Sequence, residues 1–402
     1  MKNNKYTLTV LLLFFSCLAI GQGTWTQKAD FYIPKHLAAS FSIGTKGFVV
    51  TGATLSNSYT NDTWEYDSFS DTWTQKADFI GQGRYGAIGF ALNGKGYIFG
   101  GYDGNSQFDN DLYEYNPSLD TWQQKASCPC VERYLATAFT IGNTAYIGTG
   151  EFGMADWKDI WAYNASTDTW TQKADFSGTA RRNAVSFCIG NKCYLGTGDN
   201  IWNGCTMDFW EYDPSNDSWI QKANFGGGLK TNAVGFAIGN RGYICTGSNY
   251  SYSSKDLWEY NPSNDTWTQL ANFGGIPRHE AICFVINNRA YVGIGITNPA
   301  MPDLWEYTPD SSDAIIEYER NTFISVFPNP FSYQTILKTN GNLNNATLTL
   351  YNSYGQQVKQ IKNITGQEIK LRRDNLPIGI YFIRFTQNNK TIATDKLIIT
   401  DN

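Results

Sequence analysis

Charge is the first thing this chain lacks. Only 17% of its 402 residues are Asp, Glu, Lys or Arg, against ~25% in an average globular domain. With 38 Gly and 13 Trp, that shortage excludes a disordered chain, a coiled coil and a charge-laced helical protein. Basic patches are also missing from most of its length. Residues 22–320 hold 20 basic against 32 acidic residues, and only residues 321–402 lean the other way, nine against four. A body so acidic is a poor partner for nucleic acid, whose phosphates need clustered cations. Histidine occurs twice in the whole chain. Zinc-type Cys/His spacing, a phosphate-cradling Gly-rich loop and a Ser-His-Asp cue are all missing. No catalytic residue is assigned, and no cofactor or metal is expected. Past residue 21 no stretch reaches the ~18 apolar residues of a membrane helix.

The N-terminus reads as an export signal over residues 1–21. Lys2 and Lys5 precede an apolar run from Tyr6 to Ile20, and Ala19-Ile20-Gly21 supplies small residues for cleavage before Gln22. Lipidation at Cys17 is the alternative, though Phe15-Ser16-Cys17 is a poor acceptor motif. The mature chain is thus expected in an oxidising space.

Seven cysteines follow the leader, an odd number that leaves at least one unpaired within the chain. Gly190-Asn191 reads as a two-residue hairpin turn. Ile189 and Lys192 then form the hydrogen-bonded pair, and Cys188 faces Cys193 at the next, non-hydrogen-bonded pair. A cross-strand disulfide is expected there, the alternative being two small packed residues. Cys245 and Cys283 read as packed strand residues. Cys128-Pro129-Cys130 reads as a structural loop rather than a metal site.

A repeated unit dominates the rest. Trp recurs in one context at 25, 73, 122, 170, 219 and 267, in steps of 48 or 49 residues. A second anchor, Asp-x-(Trp/Tyr)-x-Tyr, carries Trp64, Tyr113, Trp161, Trp210, Trp258 and Trp305. A third is an apolar strand, a two-residue turn of Gly or Asn type such as Asn93-Gly94, and a second apolar strand. Each unit therefore reads as four short antiparallel strands. The first begins near Leu37 in the first unit and carries a small residue at Ala38, Ala87, Ala136, Ala184, Ala233 and Ala281. Four strands every ~50 residues describe a propeller blade. The small residues suit the crowded axis, and the Trp residues are core. The first Trp segment precedes any first strand, and the last unit has no following Trp segment. The N-terminal strand is therefore expected to complete the sixth blade and remove the open seam.

The phrase Gly100-Gly101 … Asp111-Leu-Tyr-Glu-Tyr115 … Asp120-Thr-Trp122 resembles the kelch repeat, over residues 22–309. The Gly-Gly doublet itself stands only at Gly100-Gly101, and elsewhere becomes Thr51-Gly52, Thr149-Gly150, Thr197-Gly198, Thr246-Gly247 and Ile294-Gly295. Residues 310–321 read as a linker. Seven short alternating strands follow in 322–402, from Phe323–Phe327 to Thr391–Ile399, and predict a small Ig-like β-sandwich. Phe327-Pro-Asn-Pro-Phe331, Leu350-Tyr-Asn-Ser-Tyr-Gly355, Leu376-Pro-x-Gly-Ile-Tyr-Phe-Ile-Arg384 and Lys396-Leu-Ile-Ile-Thr400 resemble the C-terminal sorting domain of the type IX secretion system of Bacteroidetes, type A. That resemblance implies a partner in the secretion machinery, passage from the periplasm through the outer membrane, and release or anchoring at the cell surface.

Function has to be argued from the site. The long loops all fall on one face of the ring. Six residues before each first-strand Phe stands a cation: Lys35, Arg84, Arg133, Arg181, Lys230 and Arg278. These six read either as a basic ring that focuses anions at the axial opening or as fasteners tying each loop to a neighbouring blade. The loops between second and third strands do not repeat, and carry Tyr59, Tyr102, Trp157, Trp202, Tyr250 and Tyr252. They suit stacking on sugars or anchoring a protein partner, or else fold inward as plugs. The Asp residues ending these loops, Asp62 to Asp303, read as turn acceptors. His36 and His279 hold equivalent places in adjacent blades, where they could share a metal or a proton. The leading expectation is a monomeric, secreted or surface-held module that binds a protein or glycan on the long-loop face. The alternative is a sugar epimerase similar to the bacterial N-acetylneuraminate epimerases, with the basic ring on a carboxylate and Glu132, Glu280 or His279 moving protons.

Overall fold

The computed structural model describes residues 23–56, 58–104, 107–297, 299–310, 324–352, 356–387 and 390–401. The leader and most of the expected linker lie outside the described residues. The chain divides into two compact units, Met1–Ala314 and Ile315–Asn402.

Six four-stranded antiparallel sheets make the first unit a six-bladed β-propeller. Blade one runs outward from the axis as Ala39–Ile43, Lys46–Val50, Thr63–Asp67 and Thr72–Lys76. The inner strands of the other blades are Ile88–Leu92, Thr137–Ile141, Val185–Ile189, Val234–Ile238 and Ile282–Ile286. In blade six the outer strand is Thr24–Lys28, paired with Leu304–Thr308 so that Trp25 lies opposite Tyr307. The N-terminal strand thus closes the ring, which leaves no exposed edge at the join.

Aromatic stacking fixes each blade. The inner-strand Phe stacks on the second-strand aromatic, as Phe90 on Tyr97 at 5.2 Å and Phe139 on Tyr146 at 5.3 Å. Farther out, the Trp of the outer strand packs on the third-strand Tyr, as Tyr163 with Trp170 at 4.9 Å. The clusters these rings build run from one blade into the next. One of them joins Phe41 and Val50 of blade one to Phe79, Tyr115 and Trp122.

The repeated Asp and Trp also rivet neighbouring blades. Asp168 Oδ1 accepts the Ala126 N–H at 3.0 Å, Trp170 donates to the Ala126 carbonyl at 2.8 Å, and the Tyr163 hydroxyl closes on the same Asp at 2.8 Å. Asp71, Asp120, Asp217 and Asp265 repeat this at four other seams. The seam between blades five and six lacks it. Gly23 stands where the others carry Asp, at a positive φ of 68° like theirs, so no carboxylate is present to accept from Ala271. There the buried Trp25 Nε1 has no acceptor among the described residues.

Near the axis the inner strands start two residues later than the sequence suggested. Leu37, Gly86, Leu135, Asn183, Asn232 and Glu280 all take positive φ, between 49° and 66°. That conformation breaks the strand and turns these backbones around the axis. Gly86 N–H reaches Leu37 O at 2.9 Å, Leu135 N–H reaches Gly86 O at 2.8 Å, and Asn183 N–H reaches Leu135 O at 3.0 Å. Leu37 N–H in turn reaches Glu280 O, and Glu280 N–H reaches Asn232 O. This girdle and the six Ala residues line the upper channel. Below it a chamber of about 390 Å³ is lined by the inner strands.

Cys188 pairs with Cys193 in cross-strand register and the two form a disulfide, with Cα atoms 4.0 Å apart. Cys128 and Cys130 also pair, while Cys205, Cys245 and Cys283 are free.

The second unit is a five-stranded antiparallel sheet arrangement. Where seven strands were expected, Gln334–Asn352 and Gln357–Arg372 each run on through what read as two. Register shifts between Lys338 and Leu348 take up the polar interruption. The first half of Gln334–Asn352 pairs with Ile324–Phe327 and the second half with Gly379–Gln387. Residues of both halves, among them Leu337, Leu350, Leu371 and Phe385, share one buried core.

Candidate functional site

The six repeated cations sit in the loops that lead into the inner strands. They do not form a basic ring at the opening, because each is buried and engaged within its own blade. Arg133 donates two parallel bonds to Asp159, at 2.7 and 2.9 Å, and a third to Thr149 O at 3.0 Å. Arg181 does the same with Asp208 and Thr197 O, Arg84 with Asp111 and Gly100 O, and Arg278 with Asp303 and Ile294 O. Lys35 and Lys230 pair with Asp62 and Asp256. The face of an aromatic completes each clasp, for example Phe176 under Arg181 at 4.8 Å. Side-chain exposure of Arg133, Arg181 and Arg278 is 0–1%, so no guanidinium remains for an incoming anion. The fastener reading fits this geometry, with the tie inside the blade rather than to its neighbour.

The loop-ending Asp residues are therefore ion-pair acceptors, and most also receive the indole N–H two residues on, as Trp161 to Asp159 at 2.8 Å. Burial would raise the Asp159 carboxyl, but the Arg133 bonds and charge and the Trp161 bond outweigh it and hold the group below 3.8. Asp62, Asp208 and Asp303 are lowered by the same balance. The third acceptor is the carbonyl of a residue forced to positive φ, 59° at Thr149 and 43° at Ile294. These are the positions that hold Thr or Ile where Gly-Gly would be expected. Branched side chains are strained there, and the clasp holds the carbonyl in place.

Directly after each cation comes a residue that is not the same in every blade: His36, Tyr85, Tyr134, Arg182, Thr231 and His279. Most of these slots bridge to the residue following the second-strand Thr-Gly or Gly-Gly, as Tyr85 to Tyr102, Tyr134 to Glu151, Arg182 to Asp199 and Thr231 to Ser248. Together they form an asymmetric mouth above the girdle.

One side is aromatic. Tyr59 packs on Tyr85 at 4.9 Å, Tyr85 on Tyr102 at 5.5 Å, Tyr102 on Phe108 at 4.8 Å, and Phe108 on Tyr134 at 5.2 Å. These rings are half-buried. Burial, with the neighbouring phenols, raises the Tyr85 hydroxyl above its usual range, so it stays a donor. Asp103 and Asp109 directly follow Tyr102 and Phe108. Burial first, then Asp111 and Asp103 against the pull of Arg84, pushes Asp109 up to about 6.

The opposite side is ionic. Arg182 pairs with Glu151 and, at 2.8 Å, with Asp199. Asp199 also accepts from Tyr250 at 2.7 Å, Asn183 at 3.0 Å and Thr231. Tyr134 donates to Glu151 at 3.1 Å. The chain's two histidines meet at Glu280. His36 Nδ1 lies 2.7 Å from one oxygen and His279 Nε2 lies 3.9 Å from the other. Ser253 bonds His279 Nδ1 at 2.9 Å. Among the described residues no group of three or more His, Cys, Asp and Glu is disposed to hold a metal ion.

The loop aromatics divide. Tyr102 belongs to the arc, Trp202 is 78% exposed, and Tyr250 shows its ring while its hydroxyl holds Asp199. Trp157 folds inward and packs on Arg133, with 5.8 Å between guanidinium and ring. The sequence reading missed Tyr85, Tyr134, Arg182, Glu151 and Asp199 as site residues. Their signal was present, since each stands in a slot where six otherwise faithful units disagree.

Comparison with known proteins now defines the class. Residues 35–232 match the family model described as the KLHDC2/KLHL20/DRC7 Kelch-repeats domain, and the chain carries a kelch-repeat propeller. Residues 325–400 match the secretion system C-terminal sorting domain. The chain is thus a kelch propeller joined to a type IX sorting domain, which implies dealings with that secretion machinery and delivery to the cell surface or beyond it. A solved structure titled "Structure of YjhT" is similar in fold, with 17% identity and a TM-score of 0.62 over 69% of this chain and 95% of that one. No curated protein matches the chain.

Proposed function

We propose that the propeller is a recognition module whose ligand, a protein segment or a glycan, seats at the axial mouth of the long-loop face. The observation that carries this reading is the mouth itself. Clasps, rivets and stacked rings are the same in nearly every blade, and the mouth slots are where the blades differ. Side chains that differ from unit to unit on a common frame are how a repeat scaffold gains specificity. In this reading residues 1–21 are a cleaved signal, residues 22–309 are the propeller, and residues 322–402 carry a monomer through the periplasm and out. The test is a panel of defined glycans and peptides against the full chain. Binding should fall at least tenfold in Tyr134→Ala and stay unchanged in Phe69→Ser, an exposed residue far from the mouth. Equal loss in both, or no effect of Tyr134→Ala on any bound ligand, would refute a site at the mouth.

A second reading rests on the His36–Glu280–His279 group, whose three side chains are placed to pass protons at the opening. It keeps the epimerase alternative in play without its basic ring, which the clasps consume. Glu132, its third proton carrier, is exposed. Anomer interconversion of N-acetylneuraminate by the full chain, lost in Glu280→Gln, would replace binding with turnover.

A further inference from the structure

Once each clasp is closed, the charge at the mouth changes sign from the one a basic ring would give. The six repeated cations are matched by six aspartates. Left at the mouth among the described residues are Glu151, Asp156, Asp199 and Glu280, with Arg182 the one arginine set against them, and Asp109, which shares Arg84 with Asp111 at 3.2 Å. Lys158 and Lys255 are exposed on the same loops, and their carbonyls accept the Phe176 and Phe273 N–H groups. A mouth with this imbalance repels anions and concentrates cations. Beside the carboxylates lies the aromatic arc, and ring faces attract ammonium and guanidinium groups. The long loops of the same face also carry exposed apolar side chains, among them Leu55, Ile80, Met154, Trp202, Leu229 and Tyr252. A sugar offers little to Leu, Ile and Met, whereas a polypeptide offers apolar side chains to meet them.

We infer that the mouth receives a positively charged polypeptide segment, with lysine or arginine heads entering between the Tyr59–Tyr85–Tyr102–Phe108–Tyr134 arc and the carboxylates of Asp109, Glu151 and Asp199. This rests on the mouth being the recognition site. Asp109 is the discriminating residue. It is a partly buried carboxylate 3.2 Å from Arg84, whose pull is outweighed by burial and by the neighbouring acids, so replacing it with Asn relieves the fold while removing one attraction for a cation.

The experiment measures binding of labelled octalysine, octaglutamate and a glucosamine hexamer to the full chain. Octalysine should bind at least 100-fold more tightly than octaglutamate. Tyr85→Ala and Asp109→Asn should each weaken it at least tenfold, while Asp109→Asn raises the melting temperature. Octaglutamate binding as well as octalysine overturns the inference, and so does octalysine binding that neither substitution weakens. A glucosamine hexamer that outbinds octalysine, and is lost in Tyr134→Ala, overturns the polypeptide but leaves the mouth as a recognition site. If Tyr134→Ala moves no probe, the recognition reading itself falls.

Discussion

Arg133 and Tyr134 are neighbours in the chain and belong to different regions. Arg133 lies in the clasp layer, buried and bonded like its counterparts in the other blades. Tyr134 lies at the mouth, where its counterparts are His, Tyr, Arg, Thr and His. The difference teaches that regularity in this chain marks support, and irregularity marks contact. A perfectly repeated Arg invites reading as a binding ring, yet repetition arises because every blade needs the same internal tie.

The comparison breaks first at the clasps. Arg133→Ala leaves Asp159 without its partner inside the blade and should cost about 3 kcal/mol. Urea unfolding checks it, and a loss below ~1 kcal/mol would mean the clasp is ornamental. Acid sharpens the same contrast. Asp62, Asp159, Asp208 and Asp303 are held below 3.8, so the native state binds fewer protons there than the unfolded chain. Their contribution is complete above about pH 4 and is lost as pH falls through the folded values. Asp109 runs the opposite way. Raised to about 6, it costs stability above pH 6, and that cost fades as pH falls toward 3.8. Asp109→Asn should therefore stabilise the protein at pH 7 by about 1–2 kcal/mol and by nothing near pH 3. Melting across that pH range gives the answer. Tyr85→Thr, which copies blade five's Thr231 into blade two, should cost about 1–2 kcal/mol in lost ring contacts while abolishing ligand selectivity. The smallest effect is at the seams. Trp170→Phe gives up the bond to Ala126 O, whereas Trp25 has no such bond to lose. Trp25→Phe should be the milder change by about 1 kcal/mol, and equal losses would show the blade five–six seam to be riveted after all.

Blade count, ring closure and the central Trp were readable because stacked core positions repeat at a fixed step, and the pairing of Trp25 with Tyr307 follows from that step. The fate of Arg133 was not readable. Its partner Asp159 lies 26 residues on, and nothing local says that one side chain points at the other. The sign of the mouth followed the same error, since it depends on which charges are already spent. Tyr85 and Arg182 were overlooked because they sit in the loops leading into the inner strands, beside the repeated cations and outside the variable loops. In the second unit, polar residues between Lys338 and Ala346 read as a turn, but the strand bends through them with its register shifted.

The antiparallel join of Thr24–Lys28 to Leu304–Thr308 places Thr24 beside Thr308. Both ends of the propeller's chain therefore emerge together on its back, away from the long loops. Force applied between Thr24 and Thr308 would peel those two strands apart one bond at a time, like a zip, and would not shear them all at once.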